Sequence, residues 1–150
     1  AFSEISSDNI GDAANPSVGR GAAFGDLDND GDIDIVISNN NGPTNLLIRS
    51  GKPEANWIGF DLVGTASNWD AIGARIKIES NGSAQLKYVN AGGSYLASND
   101  KRVLFGLGTD SKVNKITINW PSGKTSVYSD LKSDRYYQVI EGGELSEISF

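Results

Sequence analysis

AAFGDLDNDGDIDIVI, residues 22–37, is the stretch that decides how the first part of this chain folds. Its middle carries an aspartate at every second position: Asp26, Asp28, Asp30, Asp32 and Asp34. Calcium takes six to eight oxygen ligands, and loop sites supply them from positions 1, 3, 5, 7 and 9, with glycine at position 6 for the sharp turn. Gly31 occupies that sixth position, so the spacing predicts a calcium-binding loop.

The flanks of this loop are typical of strands rather than helices. An EF-hand requires a bidentate glutamate at position 12, between two helices, but position 12 here is Ile37, within a β-branched apolar run. We therefore expect two strands joined by a metal loop. The alternative is an acidic turn that solvates a surface hairpin, although five neighbouring carboxylates repel one another strongly without a counter-ion.

Composition excludes several classes of function. A net charge of −6 disfavours nucleic acid as a partner, because its binding needs clustered lysine and arginine. The chain has no cysteine and no histidine, which excludes a disulfide scaffold, a thiolate metal site and the usual general base.

The sequence also bears on where the protein acts. No apolar stretch reaches membrane-spanning length, and no signal peptide is recognisable, so we expect no membrane partner. The chain starts at Ala1 without methionine, which favours a mature or excised piece. Because modular extracellular calcium sites work at about 10⁻⁴ to 10⁻³ M, a secreted protein is the simplest interpretation.

Short strand patterns recur along the whole chain. Alternating apolar residues, as in KITINW at 115–120, fall on one face of a strand. Turn formers such as Asn41-Gly42-Pro43 and Asn81-Gly82 separate these runs, and a helical turn near 129–133 would not change the class. We predict an all-β protein, a sandwich or a barrel.

A polar stretch at 50–56 marks a seam between two parts. We expect residues 1–50 to form a calcium-loop repeat and 51–150 a β domain. A small sheet with one apolar face needs something to pack against, so we expect the two parts to share one core.

Both parts carry motifs of known families. GRGAAFG at 19–25, the aspartate loop and NGP at 41–43 resemble a VCBS or FG-GAP repeat, the calcium-binding blade unit of integrin-type β-propellers. Four later motifs resemble the ASPIC/UnbV domain of the cartilage acidic protein-like family in order and spacing: NWDAIGAR at 68–75, GGSYL at 92–96, FGLG at 105–108 and WPSG at 120–123.

The resemblance implies an extracellular, calcium-stabilised and non-catalytic module, often part of a larger protein. It implies that Asp26, Asp28, Asp30 and Asp34 bind calcium through their side chains and Asp32 through its backbone carbonyl. The chain has enough predicted strands for only one propeller blade. The resemblance therefore implies one propeller-blade-like repeat packed on the UnbV sandwich.

The tryptophans divide into two groups. Trp57 and Trp120 lie in strand patterns and are expected in the core. Trp69 lies in a polar loop, where it either covers the sandwich edge or offers a flat face to a sugar, with Asn68 and Asp70 beside it. Tyr95, in another family-typical loop, is a further candidate for that surface.

Three functions are consistent with these features. The preferred one is a non-catalytic carbohydrate-binding module with structural Ca²⁺ and a polysaccharide or glycan as its partner. The alternative is a calcium-dependent protein-interaction or adhesion module with an extracellular protein as partner. A glycoside-cleaving enzyme is disfavoured, because no carboxylate pair outside the calcium loop is singled out for acid–base chemistry.

Overall fold

The computed structural model describes residues 10–49 and 55–150. The chain divides into two compact units, the first formed by Ala1–Gly51 with Gly92–Asp100 and the second by Lys52–Ala91 with Lys101–Phe150. The run Phe2 to Ile5, which the sequence predicts as a short strand, lies outside the described residues, as does most of the predicted seam. No helix in the described ranges is long and apolar enough to cross a membrane.

The first unit contains a three-stranded antiparallel sheet. Its strands are β1 (Gly19–Gly25), β2 (Asp34–Asn39) and β3 (Asn45–Leu47), in the order β1-β2-β3, preceded by a 3₁₀ turn at Gly11–Ala14. The β1–β2 register ends on the pair Gly25 and Asp34, so the aspartate loop is the connection between two paired strands.

The segment Gly92–Asp100 runs along the free edge of β1. The backbone N–H of Phe24 donates to Asn99 Oδ1 at 3.1 Å, and the N–H of Asp100 donates to the Phe24 carbonyl at 2.9 Å. A Cβ added to Gly21 would lie 2.5 Å from the Tyr95 carbonyl oxygen, so this close approach requires glycine. The segment therefore satisfies an edge that would otherwise present open hydrogen-bonding groups.

The second unit contains two four-stranded sheets. Its eight strands follow in chain order: β4 (Asn56–Val63), β5 (Arg75–Ser80), β6 (Ser83–Tyr88), β7 (Val103–Gly108), β8 (Lys112–Asn119), β9 (Thr125–Lys132), β10 (Tyr136–Ile140) and β11 (Leu145–Ile148). One sheet has the order β11-β10-β4-β7 and the other β6-β5-β8-β9.

The core of the second unit lies between these two sheets. Phe60 and Phe105 of one sheet and Ile76 and Ile116 of the other are all fully buried in one apolar cluster. Alternation explains this arrangement, because every second residue of β5 points inward and its neighbours stay exposed. The all-β prediction is confirmed, and the sheets within the described ranges are open and sandwich-like rather than a closed barrel.

Three details complete the comparison with the predicted elements. Trp57 and Trp120 are buried, as predicted. Residues 129–132 belong to β9 rather than to the helical turn considered above, and the strand accommodates Asp130 at φ 54°. Strand β11 was not anticipated, because its short, half-exposed sequence LSEI gives little alternation.

Candidate functional site

The aspartate loop closes tightly between β1 and β2. Two of its residues adopt the left-handed backbone conformation, Asn29 at φ 63° and Gly31 at φ 92°. Asparagine and glycine are the residues that tolerate this conformation best. The sequence therefore allows the loop to fold back so that its first and last aspartates meet.

Asp26 and Asp34, the first and last aspartates of the loop, are buried, each only 1% exposed. Asp26 accepts backbone N–H bonds from Asp30 at 3.1 Å and Gly31 at 2.8 Å. Asp34 accepts N–H bonds from Leu27 at 2.8 Å and Arg49 at 2.9 Å. Backbone donors thus hold both carboxylates in fixed positions inside the loop.

Three of the five predicted metal ligands come together. Asp26, Asp28 and Asp34 each place a carboxylate oxygen within 4.8 Å of the others. The remaining two carboxylates have other partners. Asp30 accepts the N–H of Asp32 at 2.9 Å, and Asp32 lies 3.5 Å from Arg49 Nη1.

The electrostatics of this cluster favour a cation. Although Asp28 is exposed, partial desolvation within the loop and the negative charges of Asp30 and Asp34 raise the pKa of its carboxyl. A donor set made only of oxygen atoms suits a hard cation such as calcium or magnesium. Two buried carboxylates facing a third one fit such an ion, because it would neutralise their mutual repulsion.

The second candidate site is the loop that carries Trp69, between β4 and β5. Trp69 is 74% exposed, so it does not fold back over the sandwich. The loop returns on itself tightly, since the Gly64 N–H donates to the Trp69 carbonyl at 2.9 Å. A Cβ on Gly64 would overlap the Asn68 carbonyl oxygen, which makes glycine necessary at this turn.

Glu141, directly after β10, anchors this loop. Its Oε2 accepts the backbone N–H groups of Thr65 and Ala66, both at 2.9 Å, and of Ser67 at 2.7 Å. Its Oε1 accepts the Ser67 hydroxyl at 3.1 Å and the Ser122 hydroxyl. One buried carboxylate, 3% exposed, therefore fixes three consecutive residues of the loop.

The environment of Glu141 keeps it ionised. Burial opposes the charged form, but the hydrogen bonds from Ser122, Ser67, Thr65 and Ala66 outweigh that effect and lower the pKa of Glu141 to about 2. The carboxylate thus acts as a charged, permanent acceptor for the loop at neutral pH.

The predicted neighbours of Trp69 have different roles. Asn68 uses its side chain within the loop, donating to the Ile72 carbonyl at 3.0 Å and accepting the Ile72 N–H at 2.8 Å. Asp70 is half-buried and pairs with Lys101 Nζ at 2.6 Å. Asn68 therefore shapes the loop, whereas Asp70, the residue after Trp69, forms an ion pair with Lys101.

Tyr95 belongs to the first unit, not to the unit that carries Trp69. Its ring is 58% exposed and lies 5.1 Å from the Arg20 guanidinium carbon. Its hydroxyl oxygen accepts a bond from Arg20 Nη2 at 3.4 Å. The structure thus gives Tyr95 a surface of its own with Arg20.

Sequence reasoning missed Glu141, Ser122 and Lys101. Glu141 contacts residues 74 to 76 positions earlier, and no local pattern encodes such a separation. The one available signal is Gly142-Gly143 directly after an alternating strand, which marks a turn but not a buried carboxylate.

Comparison with known proteins gives the family. Residues 64–146, more than half of the chain, match the family described as ASPIC and UnbV. The chain is similar to cartilage acidic protein 1 of Xenopus tropicalis, with 31% identity over 77% of the chain and 18% of the relative. The mouse and human proteins of that name are 28% and 29% identical over 89% of the chain, and 21% and 20% of their own lengths. The chain spans about a fifth of these relatives and belongs to the ASPIC and UnbV family.

Proposed function

We propose that the chain is a non-catalytic, extracellular, calcium-stabilised module that binds carbohydrate through the loop carrying Trp69. The single observation that carries the carbohydrate part is the 74% exposure of Trp69 on a loop that a buried carboxylate holds in place. Calcium, in this proposal, stabilises the first unit and does not touch the sugar.

The calcium part rests on the aspartate loop. Asp26, Asp28 and Asp34 supply three oxygen ligands, and backbone hydrogen bonds already orient two of them. We propose that Asp30 contributes through its carboxylate and Asp32 through its backbone carbonyl, as in a VCBS or FG-GAP repeat. Such a loop between two paired strands acts as a clamp, because one ion ties the end of β1 to the start of β2.

The carbohydrate part rests on the chemistry of an exposed indole. A flat aromatic face stacks against the C–H groups of a sugar ring, while polar neighbours bond its hydroxyl groups. Asp70, the residue after Trp69, forms a partly exposed ion pair with Lys101, and this pair offers both an acceptor and a donor. Hydroxyl groups of a bound sugar can hydrogen-bond to this ion pair while both of its charges stay paired.

Rigidity of the loop supports binding. A flexible loop would lose conformational freedom when a ligand orders it, which weakens affinity. The hydrogen bonds from the backbone N–H groups of Thr65, Ala66 and Ser67 to Glu141 already order the loop in the free protein. Ligand binding therefore costs less conformational entropy. The backbone that leads to Trp69 is therefore held in place.

The relatives support an extracellular setting. They are named for cartilage, and the chain matches about a fifth of each. Calcium loops of modular extracellular proteins work at about 10⁻⁴ to 10⁻³ M, a concentration found outside cells. We propose that the module belongs to a larger secreted protein.

Tryptophan fluorescence tests the carbohydrate part. Trp57 and Trp120 are buried, so acrylamide quenching reports mainly on Trp69. We expect at least one member of a panel of soluble neutral polysaccharides to protect the emission from acrylamide. Retention of that polysaccharide should be lost in Trp69→Ala and kept in Leu96→Ala, a control that removes another highly exposed apolar side chain.

Two results would count against the assignment. Unchanged polysaccharide retention in Trp69→Ala would show that the indole is not the binding face. Absence of protection by every polysaccharide, together with a calcium-dependent protein partner, would favour the adhesion function instead.

A further inference from the structure

The outer face of the second unit's β6-β5-β8-β9 sheet carries a charge opposite to that of the whole protein. Inward residues of β5 and β8 pack in the core, so the alternate residues point outward. The outward charged residues on these two strands are Arg75, Lys77, Glu79, Lys112 and Lys115. These five residues sum to a charge of +3, in a chain whose net charge is −6.

Arg75 lies at the centre of one row across this sheet. Its cross-strand partner on β6 is Tyr88, which is 55% exposed, and its partner on β8 is Asn119. The Asn119 side chain in turn donates to Thr125 on β9 at 3.1 Å. Since adjacent strands are about 4.8 Å apart, the row places an aromatic ring, a guanidinium, an amide and a hydroxyl along about 14 Å.

The cations of this face are not all neutralised within the chain. Glu79 bonds with Lys77, and this hydrogen bond, followed by the charges of Lys77 and Lys115, lowers the pKa of Glu79. Within the described ranges, no carboxylate forms an ion pair with Arg75. The guanidinium therefore keeps its forked donors available for an external anion.

The spacing of these groups decides what kind of anion fits. Arg75 and Lys115 stand in different rows, separated along the strands by four residues, or about 13 Å. Lys77 lies in the row between them but is paired with Glu79, and its partner on β8 is the hydroxyl residue Thr117. A nucleic acid needs denser positive charge, whereas widely spaced anions among hydroxyl groups are typical of an acidic polysaccharide.

We propose that this outer face binds an acidic polysaccharide that carries carboxylate or sulfate groups. The Arg75 guanidinium holds one acidic group by two parallel N–H bonds, and the Tyr88 ring stacks on the adjoining sugar. Lys115 attracts a second acidic group further along the strands. The inference does not depend on the Trp69 loop, because the face is formed by β5, β6, β8 and β9.

Dextran and dextran sulfate provide a matched pair of probes, since they differ only in sulfate groups. We expect the full chain to bind dextran sulfate more tightly than dextran in affinity electrophoresis. Arg75→Gln should weaken binding to dextran sulfate about tenfold, the size expected for a hydrogen bond to a charged group. Tyr88→Ala should weaken it about fivefold, in the range of an aromatic stacking contact.

Control variants make the result decisive. Lys132→Gln removes one positive charge at the far end of β9 and should change binding less than twofold. Trp69→Ala should leave binding of dextran sulfate unchanged, which separates this face from the proposed function. A circular dichroism melting curve for each variant checks that the sandwich is intact.

Three outcomes would overturn the proposal. Equal loss of binding in Lys132→Gln and Arg75→Gln would show unspecific attraction to a polyanion. Full binding by Tyr88→Ala, with equally strong competition by polyglutamate, would show that the face does not recognise a sugar. Equal binding of dextran and dextran sulfate would show that the cations of this face do not contribute to binding.

Discussion

Chelation of calcium should lower the melting temperature of the first unit by about 6–20 °C. Extracellular loop sites bind calcium with a Kd of about 0.1–1 mM, so 10 mM calcium stabilises the folded state by about 1.4–2.7 kcal/mol. The unit contains about 60 residues, from Ala1–Gly51 and Gly92–Asp100. In a domain of that size each kcal/mol shifts the melting temperature by about 4–8 °C.

Differential scanning calorimetry with 10 mM calcium and with EDTA measures this shift. Asp28→Ala removes one of the three clustered carboxylates and should abolish the difference between the two conditions. Glu144→Ala removes an exposed carboxylate outside the loop and should preserve it. The reasoning is refuted if EDTA leaves the melting temperature of the unaltered chain unchanged, or if Asp28→Ala keeps the full shift.

Three further predictions concern the second unit. Glu141, with its pKa lowered to about 2, stabilises the fold fully above pH 4.5 and loses that effect as the pH falls towards 2. Glu141→Gln should therefore melt lower than the unaltered chain at pH 7, and the gap should close between pH 4.5 and 2; a constant gap would contradict the network. Gly59→Ala drives a Cβ into the ring of the buried Tyr136 and should cost at least about 1–3 kcal/mol in urea unfolding. Gly106→Ala, where a Cβ meets no atom within 4 Å, should be nearly neutral, and equal costs for both would refute the packing argument. Trp69→Ala should move the melting temperature by less than about 2 °C, because the side chain is exposed; a larger fall would show that the indole packs in the fold.

Local patterns predict the strands of this fold well. Trp57, predicted in a strand, lies in β4, and the alternation at 115–120 correctly predicts that Ile116 and Ile118 are in the core. The burial of Trp57 also follows from its immediate neighbours, whereas those of Trp69 left open whether it covers the sandwich edge or is exposed. Period-two burial is a local property, so the sequence alone reveals it.

Long-range relations could not be predicted in the same way. The sequence places GGSYL at 92–96 in the second domain, yet Ser94 Oγ accepts the N–H of Ala22, 72 residues earlier. The spacing of the aspartates identifies the loop but not which carboxylates converge, because Asp32 has an alternative partner in Arg49. Such choices depend on tertiary neighbours that no short pattern encodes.

A glycan array with the unaltered chain and Trp69→Ala, with and without EDTA, tests the central claim most directly. The account predicts that the unaltered chain binds at least one class of neutral glycan, that Trp69→Ala does not, and that EDTA at a temperature below melting leaves the binding intact. Equal neutral-glycan binding by both proteins, or no binding by the unaltered chain, would contradict it.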